Sequence, residues 1–150
     1  MSRIKVELPK SFAFETDIPI RIGDINYGGH LGNDTMLSVA HEARVRFLMQ
    51  HGYTEFNIEG SGIIMVDAAV QYQSQSFYGE VLRVEIGVED FQKFGCDFLY
   101  RITEKESHRE VARVKTGIVF FDYEKGKIAV LPEQFRVKMR SHNIQPIEEK

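Results

Sequence analysis

The chain carries one long stretch with the period of a buried helix, and nearly everything after it reads with the period of strands. Met36, Val39, Ala40, Ala43 and Phe47 recur at steps of three and four, leaving Ser38, Glu42, Arg46 and Gln50 away from the centre of that stripe. Asn33 or Asp34 suits the N-cap and Gly52 the left-handed residue after the last turn, so the spacing predicts a helix from Asp34 to His51. Further on, Leu82, Val84, Ile86 and Val88 alternate with Arg83, Glu85, Gly87 and Glu89, and Phe94, Cys96, Phe98, Tyr100 and Ile102 alternate in the same way. Segments 63–72 and 111–122 are more continuously apolar, as expected of central strands covered on both faces. Residues 104–110 and 124–127 read as turns, and Pro132 as the start of a terminal helix with Phe135, Val137 and Met139. Residues 17–23 read as a first strand, preceded by a polar lead-in over 1–16.

One helix of about five turns cannot cover both faces of the five-stranded sheet that this order implies. The expectation is a single α+β domain over 1–150, with its core from about 17 to 142 and polar termini. Its antiparallel sheet curls around the helix. The bare face of the sheet then needs a partner, and a second copy of the chain is the economical one, giving a homodimer or homotetramer.

At 150 residues the chain is long enough for one real core. Its net charge of −3 argues against a nucleic-acid partner, which usually demands a basic surface. A single cysteine, Cys96, excludes an internal disulfide framework, and the histidines at 30, 41, 51, 108 and 142 lack the spacing of a zinc site, so no metal is expected. No apolar run approaches the length of a membrane helix, and residues 1–9 lack the apolar segment of a secretion signal. These features set the expectation of a cytoplasmic protein with no membrane partner.

The chemistry concentrates where the first strand meets the helix, in Arg21-Ile22-Gly23-Asp24-Ile25-Asn26-Tyr27-Gly28-Gly29-His30-Leu31-Gly32-Asn33. Acid, amide and imidazole side chains gather there beside the free N–H groups of a helix start, which stabilise negative charge.

Asp24-Ile25-Asn26 followed by Gly29-His30-Leu31-Gly32-Asn33 resembles the Asp-x-Asp and Gly-His-Val-Asn-Asn motifs of the hot-dog-fold acyl-CoA thioesterases, in the branch of 4-hydroxybenzoyl-CoA thioesterase. His41-Glu42-Ala43-Arg44 with Phe47-Leu48 is similar to the family's Glu-Glu-Ala-Arg and following Phe-Leu, and Tyr78-Gly79-Glu80 to its Gly-Asp turn. Phe120-Phe121-Asp122 and Leu131-Pro132 resemble its strand end and terminal helix. The likeness spans roughly 18–140. It implies the hot-dog fold and a thioester hydrolase acting on an acyl-CoA or acyl-carrier-protein substrate, with coenzyme A entering as part of the substrate and no bound cofactor.

The departure is Asn26, where the family carries its catalytic carboxylate. An amide cannot take a proton from water at neutral pH. Asn26 is then either an orienting group or a turn residue bonded to its own backbone. The base falls to His30, since imidazole titrates near neutrality, or to Asp24, whose alternative is a structural acceptor of backbone N–H groups. The resemblance gives the Asn33 N–H the role of oxyanion donor, with Gly29 and Gly32 shaping the backbone and Tyr27 and Gly28 beside the substrate. Glu42 reads as a solvated or subunit-contacting acid and Cys96 as packing. Arg83, Arg101 and Arg113 read as alternating surface charge or as contacts to coenzyme A phosphates. Two other functions stay open: a non-catalytic acyl-thioester binding module that lost the carboxylate, and an enoyl-thioester hydratase.

Overall fold

A computed structural model describes residues 2–141; His142, placed at the end of the expected core, lies outside the described residues, as does the polar stretch 143–150. The elements run β1 (Phe14–Pro19), a single 3-10 turn (Ile22–Asp24), α1 (Thr35–Gln50), β2 (Gly62–Tyr72), β3 (Val81–Glu89), β4 (Gly95–Glu104), β5 (Glu110–Asp122), β6 (Lys127–Ile128) and α2 (Glu133–Ser141). The strands form one antiparallel sheet in the order β1-β3-β4-β5-β2, with β6 added on β5 through Phe121 and Ile128. This is the curved sheet around one long helix that the resemblance implies.

α1 buries Met36, Val39, Ala40, Ala43, Phe47 and Leu48, as the stripe requires. The helix rests mainly on β1, β3 and β5. Leu82, Val84, Ile86, Phe98, Tyr100 and Ile102 meet it from the sheet, all fully buried. α2 closes one end of the core: the Phe135 ring lies 5.3 Å from Phe120 and stacks on Phe98 at 6.5 Å. Burying one such ring contributes about 1.5–3 kcal/mol.

Four expectations need correction. The first strand is Phe14–Pro19 and not 17–23, because the Asp24 carboxylate accepts the Arg21 N–H (2.8 Å) and winds residues 22–24 into a turn. The lead-in over 1–16 is no solvated tail, since Val6, Pro9, Phe12 and Ala13 are buried. It crosses the outer face of the sheet: the Val6 N–H donates to Gln71 on β2 (3.0 Å), Arg113 on β5 reaches the Val6 carbonyl (3.5 Å), and Arg101 on β4 lies over the Phe12 ring. A Cβ on Gly87 of β3 would strike Pro9, so that glycine makes room for the strap. Part of the face that needed a partner is therefore covered by the chain itself. The buried positions 6, 9 and 12 recur every third residue, which matches neither helix nor strand period.

β2 is an edge strand and not a central one, with Met65, Val66 and Tyr72 about half exposed. Its ladder is interrupted between Met65 and Asp67, where the Asp67 carboxylate accepts the Gly117 N–H and the Lys115 ammonium. Finally, the sheet has six strands where five were expected, β6 being too short to show a period. Asp34 occupies the N-cap position of α1, but its side chain makes no capping hydrogen bond.

Candidate active site

The loop between β1 and α1 is a closed ring of hydrogen bonds. Ile25 bridges Leu31, and the Asn26 N–H donates to the His30 carbonyl at 2.9 Å. The Asn26 side chain accepts the Gly28 N–H at 2.9 Å, and its carbonyl accepts the Gly29 N–H at 3.0 Å. Gly29 has φ of 83°, a conformation that favours glycine. The Gly32 N–H is spent on the Asp24 carbonyl (3.1 Å), and a side chain at 32 would run into the Asp34 carboxylate. A further bond, from the Leu31 N–H to the Ser76 carbonyl (2.8 Å), fastens the loop to the β2–β3 connection.

Between these two connections lies a cleft of about 230 Å³, walled by His30, Asn33 and Met36 on one side and by Tyr72, Ser74 and Ser76 on the other. The Tyr72 hydroxyl donates to the Asn33 carbonyl at 2.8 Å. Burial, and then the Asp34 charge, push that phenol above its ordinary value, so it stays a protonated donor. With Gly29 and Gly32 committed, Asn33 keeps an N–H with no acceptor among the described residues. In the opposite wall, with Tyr72, the Ser76 hydroxyl is buried without a partner among those residues.

His30 Nδ1 lies 3.0 Å from the Leu31 carbonyl oxygen. A carbonyl only accepts, so in the neutral ring Nδ1 carries the hydrogen and Nε2 carries the lone pair. A Cβ on Gly28 would sit 3.2 Å from Asn26 Oδ1 and 3.3 Å from His30 Nε2, so both groups flank this one glycine. The structure therefore sets Asn26 and Gly28 beside His30, and His30 in turn shares the cleft with Asn33.

Asp24 is not part of that group. Its carboxylate accepts the Arg21 N–H, pairs with Arg21 at 3.6 Å, and lines a different groove of about 250 Å³ with Thr35, Glu42 and Arg46. Tyr27 projects from the loop fully exposed. Glu42 is exposed and lies 3.8 Å from Arg46. The Cys96 thiol is buried at the start of β4 and burial pushes its pKa far up, which makes it a packing group. Arg83, Arg101 and Arg113 are paired with Asp17, Glu85 and Glu110 respectively, and so are not free cations awaiting a phosphate. Among the described residues no three His, Cys, Asp or Glu side chains are set to hold a metal, and no helix is long and apolar enough to cross a membrane.

Sequence reasoning passed over three residues near the clefts. Tyr72 ends the apolar strand and Ser76 sits in the polar run after it, and neither position offers a periodic signal for a site. Arg44 did leave one: it falls on the apolar stripe of α1 one turn after Ala40, and it is 6% exposed.

A family model described as the thioesterase-like superfamily matches residues 20–139. No curated protein matches the sequence. Among solved structures, a 1,4-dihydroxy-2-naphthoyl-CoA thioesterase from Synechocystis superposes with a TM-score of 0.77 at 21% identity, over 85% of this chain and 95% of that one. The corresponding enzyme from Staphylococcus aureus gives 0.75 at 18% identity, over 85% and 88%. Another Staphylococcus aureus protein, solved in complex with CoA, gives 0.80 at 15% identity, over 97% and 94%. At such identities the likeness speaks for the fold.

Proposed function

The chain belongs to the thioesterase-like superfamily, and from that premise we propose that it hydrolyses acyl-coenzyme A thioesters in the cleft of His30 and Asn33. The observation that carries this reading is the His30–Leu31 hydrogen bond, which leaves Nε2 as a basic nitrogen beside Asn26. Nε2 takes a proton from water as its oxygen bonds to the thioester carbonyl carbon. The carbonyl oxygen, now negative, accepts the Asn33 N–H one residue ahead of the N-cap of α1, where the helix dipole adds to the field. When the carbon–sulfur bond breaks, the imidazolium returns its proton to the departing thiolate, releasing free acid and thiol. Asn26 Oδ1 is held by the Gly28 N–H, which leaves the amide N–H donors to orient the water. Asp24 plays no part in this scheme.

The relative solved with CoA supports coenzyme A over a carrier protein as the thiol half. The working unit is a homodimer joined through the exposed edge of β2, and the buried, unreactive Cys96 suits a reducing cytoplasm. The test is release of free thiol by purified protein from short, medium-chain and aromatic acyl-CoAs, with acyl-carrier-protein thioesters alongside. Turnover of at least one acyl-CoA is expected. No turnover with any of them overturns the proposal, and turnover only on the carrier protein overturns the choice of thiol.

A further inference from the structure

α1 leans on β1, β3 and β5, so a seam stays open between the helix and β2. The cleft of His30 lies in that seam at Met36 and Tyr72. A second cleft of about 210 Å³ opens farther along it, between Leu37, Ser38 and His41 on the helix and Met65 on β2, with Arg44 and Thr116 as its other lining residues.

The polar part of this second cleft is unbalanced. Arg44 Nε donates to Glu55 Oε2 at 3.2 Å and Nη1 donates to the Tyr100 hydroxyl at 3.0 Å. A guanidinium has five N–H donors, so most of them lack an acceptor among the described residues. Tyr100 and Thr116 share one hydrogen bond at 2.9 Å, and either can be its donor. Two hydroxyl hydrogens and one bond between them leave one hydrogen over, whichever way the bond runs. The nearby carboxylate does not make up the difference: Glu55 accepts from His41 at 2.6 Å and from Arg44 Nε, and neither hydroxyl bonds to it. Tyr100 and Thr116 are fully buried, so the hydroxyl hydrogen left over is shielded from bulk water, while Arg44 is 6% exposed and meets water only through the cleft. Burying a cation and two hydroxyls with donors to spare is costly unless something accepts from them.

Taking the proposed hydrolysis as the premise, we infer that Arg44, Tyr100 and Thr116 receive an oxygen atom at the far end of the acyl group, so that the substrate is an oxygenated acyl thioester. The distance fits. With the thioester carbonyl at the Asn33 N–H, the helical rise puts His41 to Arg44 roughly 12–16 Å along the seam, the reach of a medium-length chain. Glu55 balances the charge of Arg44, so a neutral hydroxyl or keto oxygen and a carboxylate share the same recognition chemistry here.

The experiment compares kcat/KM for decanoyl-CoA, ω-hydroxydecanoyl-CoA and the mono-CoA thioester of decanedioic acid. At least one oxygenated substrate is expected to exceed decanoyl-CoA by about tenfold or more, since a site built to hydrogen-bond an oxygen discriminates against the analogue lacking it. Which of the two wins distinguishes a neutral acceptor from an anion. Thr116→Val and Tyr100→Phe are each expected to cut that ratio several-fold, and Thr116→Ser to keep it, with thermal midpoints confirming that each variant folds. A wild-type ratio near one, or a ratio unmoved by both variants, overturns the inference. If no acyl-CoA is hydrolysed, the hydrolase proposal fails by itself. Calorimetric binding of ω-hydroxydecanoate and decanedioate against decanoate then decides: preference for an oxygenated acid that Thr116→Val removes supports the subsite, and equal or absent binding overturns it.

Discussion

Nδ1 of His30 and the carbonyl oxygen of Leu31 are 3.0 Å apart, and this single contact decides which ring nitrogen is free to act as a base. It also separates two contributions of His30 that mutagenesis can tell apart. Asparagine places an amide N–H near the position of Nδ1, whereas alanine removes both ring nitrogens. His30→Asn is expected to hold its thermal midpoint near the wild-type value while kcat falls about 100-fold or more, the usual worth of a general base. His30→Ala should lose the same activity and some loop stability as well. Near-normal kcat in His30→Asn would remove the histidine from the chemistry.

Gly28 is exposed, yet the space beside its α-carbon is held by Asn26 Oδ1 and His30 Nε2 at 3.2 and 3.3 Å from where a Cβ would stand. Those separations are tight for carbon, so Gly28→Ala must displace one polar group or the other. The expected result is a drop in kcat of about tenfold with little change in thermal midpoint, because a small misplacement at a reacting centre is expensive. Unchanged kcat would mean that the two groups move apart freely and are not preorganised.

Asn26→Asp tests the residue that departs from the family pattern. An aspartate oxygen accepts the Gly28 N–H as the amide oxygen does, so the turn is preserved. The variant adds a carboxylate beside His30 Nε2, and a several-fold rise in kcat is expected. Activity found only in the variant would favour the binding-module reading for the native chain. A fall in kcat would show that the amide N–H donors are needed.

How far the sequence speaks for itself differs by residue. The stripe from Met36 to Phe47 and the alternation from Leu82 to Ile102 give the helix and two strands, because a period is a property of neighbours along the chain. β2 departs from its central placement for a related reason: an apolar run says that both faces avoid water, and does not say where the strand lies in the sheet. Val6, Pro9 and Phe12 escape notice because a strap has no period. In the site, glycines, Asn26, His30 and Asn33 were legible as one local motif. Asp24, two residues from Asn26, lies in the same motif, but the 3-10 turn carries it into another groove. Arg44, Tyr100 and Thr116 converge from three elements, a coincidence that only the tertiary structure supplies.

On the outer face, Asp97 is pushed above its ordinary carboxylate value, first by burial and then by the charges of Asp90 and Asp67, although Lys115 at 3.5 Å pulls the other way. A carboxyl whose folded pKa is raised costs stability when the pH is above that value. The cost vanishes as the pH falls below the unfolded value, about 4. Asp97→Asn is therefore expected to stabilise the protein at pH 7 and to lose that advantage towards pH 3. Asp67 shows the opposite sign, since Lys115 holds it below its ordinary value. Its contribution is present above about pH 4 and is lost as the pH falls through its lowered value. Denaturant titrations of both Asn variants across pH 3–7 check the pair, and equal slopes with pH would contradict it.

The two faces of the sheet bear differently on assembly. The outer face carries its own strap, with Phe12 fully buried against the sheet, so stacking two sheets back to back would require displacing residues 6–13. The free edge of β2 offers unpaired backbone groups together with Met65 and Val66, which are 46% and 58% exposed. An edge of this kind joins two copies through a continuous antiparallel sheet, an isologous contact that closes at two chains. The expected species in sedimentation or light scattering is a dimer. Val66→Lys should shift it towards monomer by placing an ammonium group on the joined edge of each copy, and acyl-CoA turnover should fall with the dimer fraction if the His30 cleft is completed by the second copy. Phe12→Ala, which empties the strap, is expected to lower stability by about 3–5 kcal/mol while leaving the remaining folded protein dimeric. A Val66→Lys protein that stays dimeric, or a wild-type tetramer that Phe12→Ala dissociates, would move the interface from the β2 edge to the outer face.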